Sequence, residues 1–183
     1  MSRIPFLKPE EMTERQRAVG AAIASARSGV LRGPFAIWLR NPDIAEGADR
    51  LGNLLREGTS VPTRLSELAI LVTARHWTAQ YEWFAHERRA LAAGVPKETI
   101  EAIRNRKRPA LSRRDEQVTY DLCTELYETR AVSDATYKAA EAELGQMMLI
   151  ELVTIATFYA MIAMVLVTFQ APVPEGEALP LPP

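Results

Sequence analysis

The sequence predicts an all-α protein, and three observations carry that prediction. Apolar residues recur at spacings of three and four rather than two through most of the chain, the period of a helix with one buried face. Helix start and stop signals are plentiful, while the turn dipeptides and alternating runs that mark strands are nearly absent. The uncharged run at residues 152–169, LVTIATFYAMIAMVLVTF, is apolar on every side, as a central helix or an oligomer-interface helix is.

About six to eight helices are expected, taken here in chain order. The first starts near Thr13, whose spacing to Gln16 makes a capping box, and stops at Gly29. GPFAIWLRNP is then a short aromatic turn of helix between two prolines, and a helix from about Asp43 to Glu57 ends at Gly58. Thr63 or Ser66 caps the next, SVPTRLSELAILVTARHW, and another runs from about Ala79 to Ala93 with Gly94 as its stop. Pro96 opens a short helix to about Asn105. Ser112, with Asp115 three residues on, caps the following one, and Ser133 caps one that ends at Gly145. The apolar helix from about Gln146 to Phe169 closes the fold.

A chain of 183 residues suits one domain, read as residues 1–171, followed by a Pro-rich tail, 172–183. That tail, PVPEGEALPLPP, cannot be helical; it either frays or lies along a neighbouring subunit through Val173, Leu179 and Leu181. Twenty-two Lys plus Arg against 23 Asp plus Glu give a net charge of -1, so no global field recruits nucleic acid or an anionic membrane. The basic run at residues 104–109, RNRKRP, lacks interleaved aromatics and reads as a solvated loop rather than a nucleic-acid site. A membrane span at residues 152–169 is opposed by Glu151 at one end, the prolines at the other, and the lack of flanking Lys or Arg. The amino terminus has no apolar signal core, and the single cysteine, Cys123, forbids an intrachain disulfide; both suit a cytoplasmic protein.

Chemistry concentrates in TAQYEWFAHERR, residues 78–89. Helical spacing puts Glu82, His86 and Arg89 on one face, while Tyr81, Phe84, Ala85 and Leu91 on neighbouring faces read as core. A carboxylate, an imidazole and a guanidinium in a row suit acid/base work on an anion; they also suit a plain stabilised surface helix. Glu67 shifts that balance. It stands among Leu65, Leu68, Ala69, Ile70, Leu71 and Val72, where an unpartnered carboxylate is expensive, so Arg64, Arg75 or His86 must meet it. His76 and His86 have no recognised metal-ligand spacing with Glu67 and Glu82, so no metal is expected. Cys123 falls in an amphipathic helix and is most simply a small buried side chain.

Residues 66–103, SELAILVTARHWTAQYEWFAHERRALAAGVPKETIEAI, resemble the carboxymuconolactone decarboxylase family, which includes the alkylhydroperoxidase D-like proteins. The acid on one helix, YEWxxH on the next and the AxxxGxxxxxI ending carry the resemblance; GPFAIWLRNP and VSDATYKAAEAELG extend it over most of the chain. It implies an alkylhydroperoxidase D-like helical bundle that assembles into a trimer or hexamer. In peroxidase-type members the acid is followed by CxxC and then a histidine; laid on this chain, those positions are Glu67, Ala79, Glu82 and His86. Both thiols are absent, which disfavours dithiol peroxide reduction. The resemblance to decarboxylase-type members implies a cofactor-independent acid/base enzyme acting on a small carboxylated lactone or aromatic-derived acid. In that reading His86 is the general acid, Glu82 orients it and Glu67 completes the relay. Arg89 anchors a carboxylate, and Phe35, Trp38 and Tyr81 wall the substrate site. The alternatives are a thiol peroxidase and a non-catalytic binding or assembly member of the family.

Overall fold

The computed structural model describes residues 2–27 and 29–183; Met1 and Ser28 lie outside the described residues. Within it are eight α-helices and one short 3-10 turn, Pro9–Glu11, with no strand among the described residues. In chain order the helices are α1 (Glu14–Ser25), α2 (Pro34–Trp38), α3 (Pro42–Glu57), α4 (Thr63–His76), α5 (Gln80–Ala92), α6 (Lys97–Arg104), α7 (Arg114–Thr129) and α8 (Asp134–Phe169).

Local chemistry accounts for most boundaries. The Thr13 side chain accepts from Gln16 N while Gln16 reaches back to Thr13 N, so the first orphan donors of α1 are met reciprocally. Asn41 caps α3 through Asp43 N and Ile44 N, and Gly58 ends it. Ser133 caps α8 by accepting from Thr136 N. At Gly145 the backbone turns to φ 74°, ψ 161°, which bends α8 into arms of residues 134–144 and 146–169. Two caps differ from expectation. Pro62, extended at φ -56°, ψ 137°, precedes α4 and its carbonyl accepts from Leu65 N and Ser66 N, so neither Thr63 nor Ser66 is the cap. Arg113, not Ser112, stands at the start of α7, where the Asp115 carboxylate accepts from Glu116 N and pairs with Arg64.

α4 is the hub. It packs against α5, α7 and the long arm of α8, and its Leu65, Leu68, Ile70 and Leu71 are almost wholly buried with Trp83, Leu152 and Ile155. Each such side chain contributes about 1.5–3 kcal/mol by leaving water. A smaller cluster of Val19, Ile23, Phe35, Leu39, Ala45 and Ala48 holds α1, α2 and α3 together, with Trp38 touching both clusters. Glu151 ties α8 to the loop after α3, accepting from Ser60 N at 2.8 Å. From α5 the core takes Trp83 and Ala90, whereas Leu91 is exposed and Phe84 half-buried, so the apolar face of this helix is rotated from the one expected.

The tail folds back on its own chain rather than fraying. Leu181 is buried, its N–H donates to Gln80 Oε1 at 2.9 Å and its carbonyl accepts from Gln80 Nε2 at 3.0 Å, while Arg104 donates to the Pro180 carbonyl. These bonds fix the ends of α5 and α6 beneath the tail.

Candidate active site

Glu67 on α4 and His86 on α5 face each other across the helical hairpin closed by Trp77, Thr78 and Ala79. His86 Nδ1 lies 2.8 Å from Glu67 Oε2, with Glu67 6% and His86 7% exposed. An ionised carboxylate only accepts, so Nδ1–H donates to it and Nε2 is the ring nitrogen left for other chemistry. Of the three partners open to Glu67, the structure selects His86. Arg64 instead pairs with Asp115 at 2.6 Å and with Glu116, and the Arg75 Nε donates to the Arg104 carbonyl. The Tyr159 ring meets the imidazole edge-on at 4.9 Å and fixes its plane from α8.

His86 and Glu82 both line a cavity of about 410 Å³ between α2, α3, α5 and α8. Glu82 is 2% exposed and neither carboxyl oxygen has a hydrogen-bond partner among the described residues. Burial raises its pKa well above the usual carboxylate range, so the group is held as a neutral acid. Of the two acids it is Glu67, from the other helix, whose carboxylate meets the His86 ring, while the Glu82 carboxyl is enclosed in the cavity wall with no partner among the described residues.

Arg89 from α5, Arg56 from α3, and Arg27 and Arg32 from the segment before α2 also border this cavity, against one carboxylate, Glu57, at its edge. Arg27 is neutralised by Asp49 and lies over the Phe35 ring at 4.2 Å. Arg32, Arg56 and Arg89 form no ion pair among the described residues, so the mouth is cationic. Phe35 and Tyr81 are walls. Burial raises the Tyr81 hydroxyl pKa, against the opposing charges of Arg32 and Arg89. The Tyr81 ring lies over Gly33, where an added Cβ would come within 2.3 Å of it at a backbone φ of +59°, so glycine is required on both counts. Trp38 does not border the cavity; it stacks edge-on behind Phe35 at 5.5 Å.

Glu67 itself borders a neighbouring cavity of about 510 Å³, which shares Arg56, Glu57 and Arg89 with the first. The imidazole thus borders one cavity and its carboxylate the other. Arg32, Arg56 and Tyr159 were missed in the sequence. Tyr159 had a signal, since a phenol inside an otherwise apolar helix needs a reason to be there. The arginines had none, because only the fold brings Arg32, before α2, and Arg56, on α3, to face α5. Cys123 is buried in α7, with its thiol pKa pushed up to about 12, far from a nucleophile's range. Among the described residues no three His, Cys, Asp or Glu side chains cluster as metal ligands.

Fold and site together define an all-helical protein with a buried histidine–carboxylate pair between two of its helices. Comparison with solved structures places it beside the debrominase Bmp8. The complex of a variant of that enzyme with 2,3,4-tribromopyrrole superposes with a TM-score of 0.74 at 14% identity, over 96% of this chain and 91% of that one. The ligand-free debrominase gives a TM-score of 0.74 at 13% identity, over 96% and 92%. No protein-family model matches the sequence, and no curated protein matches it. The likeness is one of fold.

Proposed function

We propose that the chain is a cofactor-independent acid/base enzyme that decarboxylates, or moves a proton on, a small carboxylated lactone or aromatic-derived acid in the cytoplasm. The observation that carries this reading is the 2.8 Å contact between His86 and Glu67 in the wall of a cavity rimmed by unpaired arginines. A guanidinium recognises a carboxylate with two parallel donors, which suits Arg89, Arg56 or Arg32 as the anchor. Loss of carbon dioxide breaks the bond to the substrate carboxylate and leaves its electron pair in an extended enolate. His86, as the imidazolium, then delivers a proton from Nε2 to carbon. Glu67 holds the ring in place and balances its charge while it carries the proton. The neighbouring debrominase binds a small substituted ring, which favours a substrate of that size. Dithiol peroxide reduction is disfavoured by Ala79 and Glu82 at the thiol positions and by the buried Cys123.

The test is turnover of 4-carboxymuconolactone and related lactone acids. His86→Ala is expected to lower kcat by about 10²–10⁴-fold, the usual worth of a general acid. Glu67→Gln is expected to cost less, because an amide still accepts from Nδ1–H. Arg89→Ala should raise KM more than it lowers kcat. Turnover unchanged in His86→Ala, or hydroperoxide reduction that depends on Cys123, would overturn the reading. A folded wild-type protein inert toward every lactone acid would favour a binding or assembly role instead.

A further inference from the structure

A second pocket, of about 90 Å³, lies among the ends of α4 and α6 and the outer side of α7, away from the first cavity. Arg75, His76, Arg106 and Lys107 border it, with Glu128 as its one carboxylate. Arg75 is only 4% exposed and makes no ion pair among the described residues. A buried guanidinium without an anion is costly. Burial, and then the Arg106 charge, depress its pKa, the sign of two cations crowded without compensation.

The backbone concentrates these charges. Both α4 and α6 end in the paired carbonyl contacts of a Schellman turn: Ala79 N to Ala74 O with Thr78 N to Arg75 O, and Lys107 N to Ala102 O with Arg106 N to Ile103 O. The left-handed position of each turn, where glycine is free of strain, holds Thr78 at φ 50° and Arg106 at φ 55°. A β-branched threonine there is strained. What the two side chains do is meet. The Thr78 hydroxyl oxygen accepts from Arg75 Nη1 at 3.0 Å and from Arg106 Nη2 at 3.1 Å, so one neutral oxygen holds two guanidiniums together. Helix C-termini favour cations, and one contact, Arg75 Nε to the Arg104 carbonyl, is explained by that. The second guanidinium and Lys107 are not.

We propose that this pocket binds a small oxyanion of the phosphate or sulfate class, clamped between the Arg75 and Arg106 guanidiniums with Lys107 at its rim. Its volume of about 90 Å³ leaves room for one tetrahedral oxyanion beside the two guanidiniums. The site is independent of the acid/base chemistry proposed above, because none of its residues borders the first cavity.

Titration calorimetry of the full chain with inorganic phosphate and with sulfate, at fixed ionic strength in chloride, tests it. One site with a Kd in the millimolar range or tighter is expected. The exposed pair Arg106→Ala with Lys107→Ala should weaken it about 10-fold or more, roughly 1.4 kcal/mol. Glu128→Gln should tighten it, and Arg32→Ala with Arg89→Ala, in the first cavity, should leave it unchanged. No binding up to about 10 mM of either anion would overturn the proposal. So would binding abolished by the Arg32 and Arg89 changes but kept in the Arg106 and Lys107 variant.

Discussion

At the scale of single residues, Glu82 makes the sharpest claim, because a carboxyl that is buried and unpartnered must carry its proton. The unfolded chain releases that proton near pH ~4.3, the folded chain at higher pH. Between those two values the folded state holds more protons, so raising the pH lowers stability, with a slope approaching ~1.4 kcal/mol per pH unit. Below ~4.3 both states are protonated and the penalty vanishes. Glu82→Gln removes it, so this variant should match the wild type at about pH 4 and exceed it in stability at about pH 7. Denaturant melts at several pH values measure the difference, and a difference flat with pH overturns the neutral carboxyl. The site was legible in the sequence as far as the spacing of Glu67, Glu82 and His86 could carry it. Which acid meets the imidazole was not legible, because Glu82 shares a helix with His86 while the partner that reaches its ring comes from α4. Cys123 was legible as a small buried side chain, and Cys123→Ser should leave turnover within about twofold, checked by initial rates.

At the scale of elements, capping side chains and glycine stops are enough to locate the start of α1, the end of α3 and both arms of α8 in the sequence, because those signals are local and act on backbone groups within one turn, whereas α1 ends at Ser25, short of the expected stop at Gly29. α4 and α7 resisted. Pro62 sets its own φ and leaves a carbonyl for two donors, and Asp115 spends its carboxylate on Arg64 of another helix, a contact no local reading contains. The face of α5 was misread for a related reason. Leu91 is apolar yet exposed, while Glu82 and His86 are polar yet buried, so the side that builds the site is the side a hydrophobic pattern assigns to solvent. The bend of α8 rests on Gly145, whose φ 74°, ψ 161° lies in a region close to glycine's alone. No atom lies within 4 Å of where a Cβ would stand, so Gly145→Ala would clash with nothing and should lose about 1–3 kcal/mol by backbone strain alone. Chemical denaturation reads that loss; an unchanged midpoint would mean the helix straightens through the bend without penalty.

At the scale of the whole molecule, the long arm of α8 has two unlike sides. Leu152, Ile155, Tyr159, Ala163 and Leu166 are buried against α4 and its neighbours, which is why a helix long and apolar enough to cross a membrane serves here as a core element. Its other side exposes Met147, Ile150, Met161 and Met164, and with Thr154 and Thr157 these fall at alternating steps of three and four along one stripe. That is the spacing of a coiled-coil seam, and no charge interrupts it beyond residue 151. Water against such a stripe is unfavourable in proportion to the apolar area, so a second copy of the chain, presenting the same stripe, is the expected cover. Light scattering on the eluting protein should therefore give a mass that is a multiple of 20.4 kDa. Met161→Glu with Met164→Glu, which puts four like charges into each pairwise contact, should return a single-chain mass while helix content stays unchanged. A wild type that elutes as one chain across micromolar concentrations, and sediments instead with lipid vesicles, would show that the stripe meets a bilayer and that self-association is not its purpose.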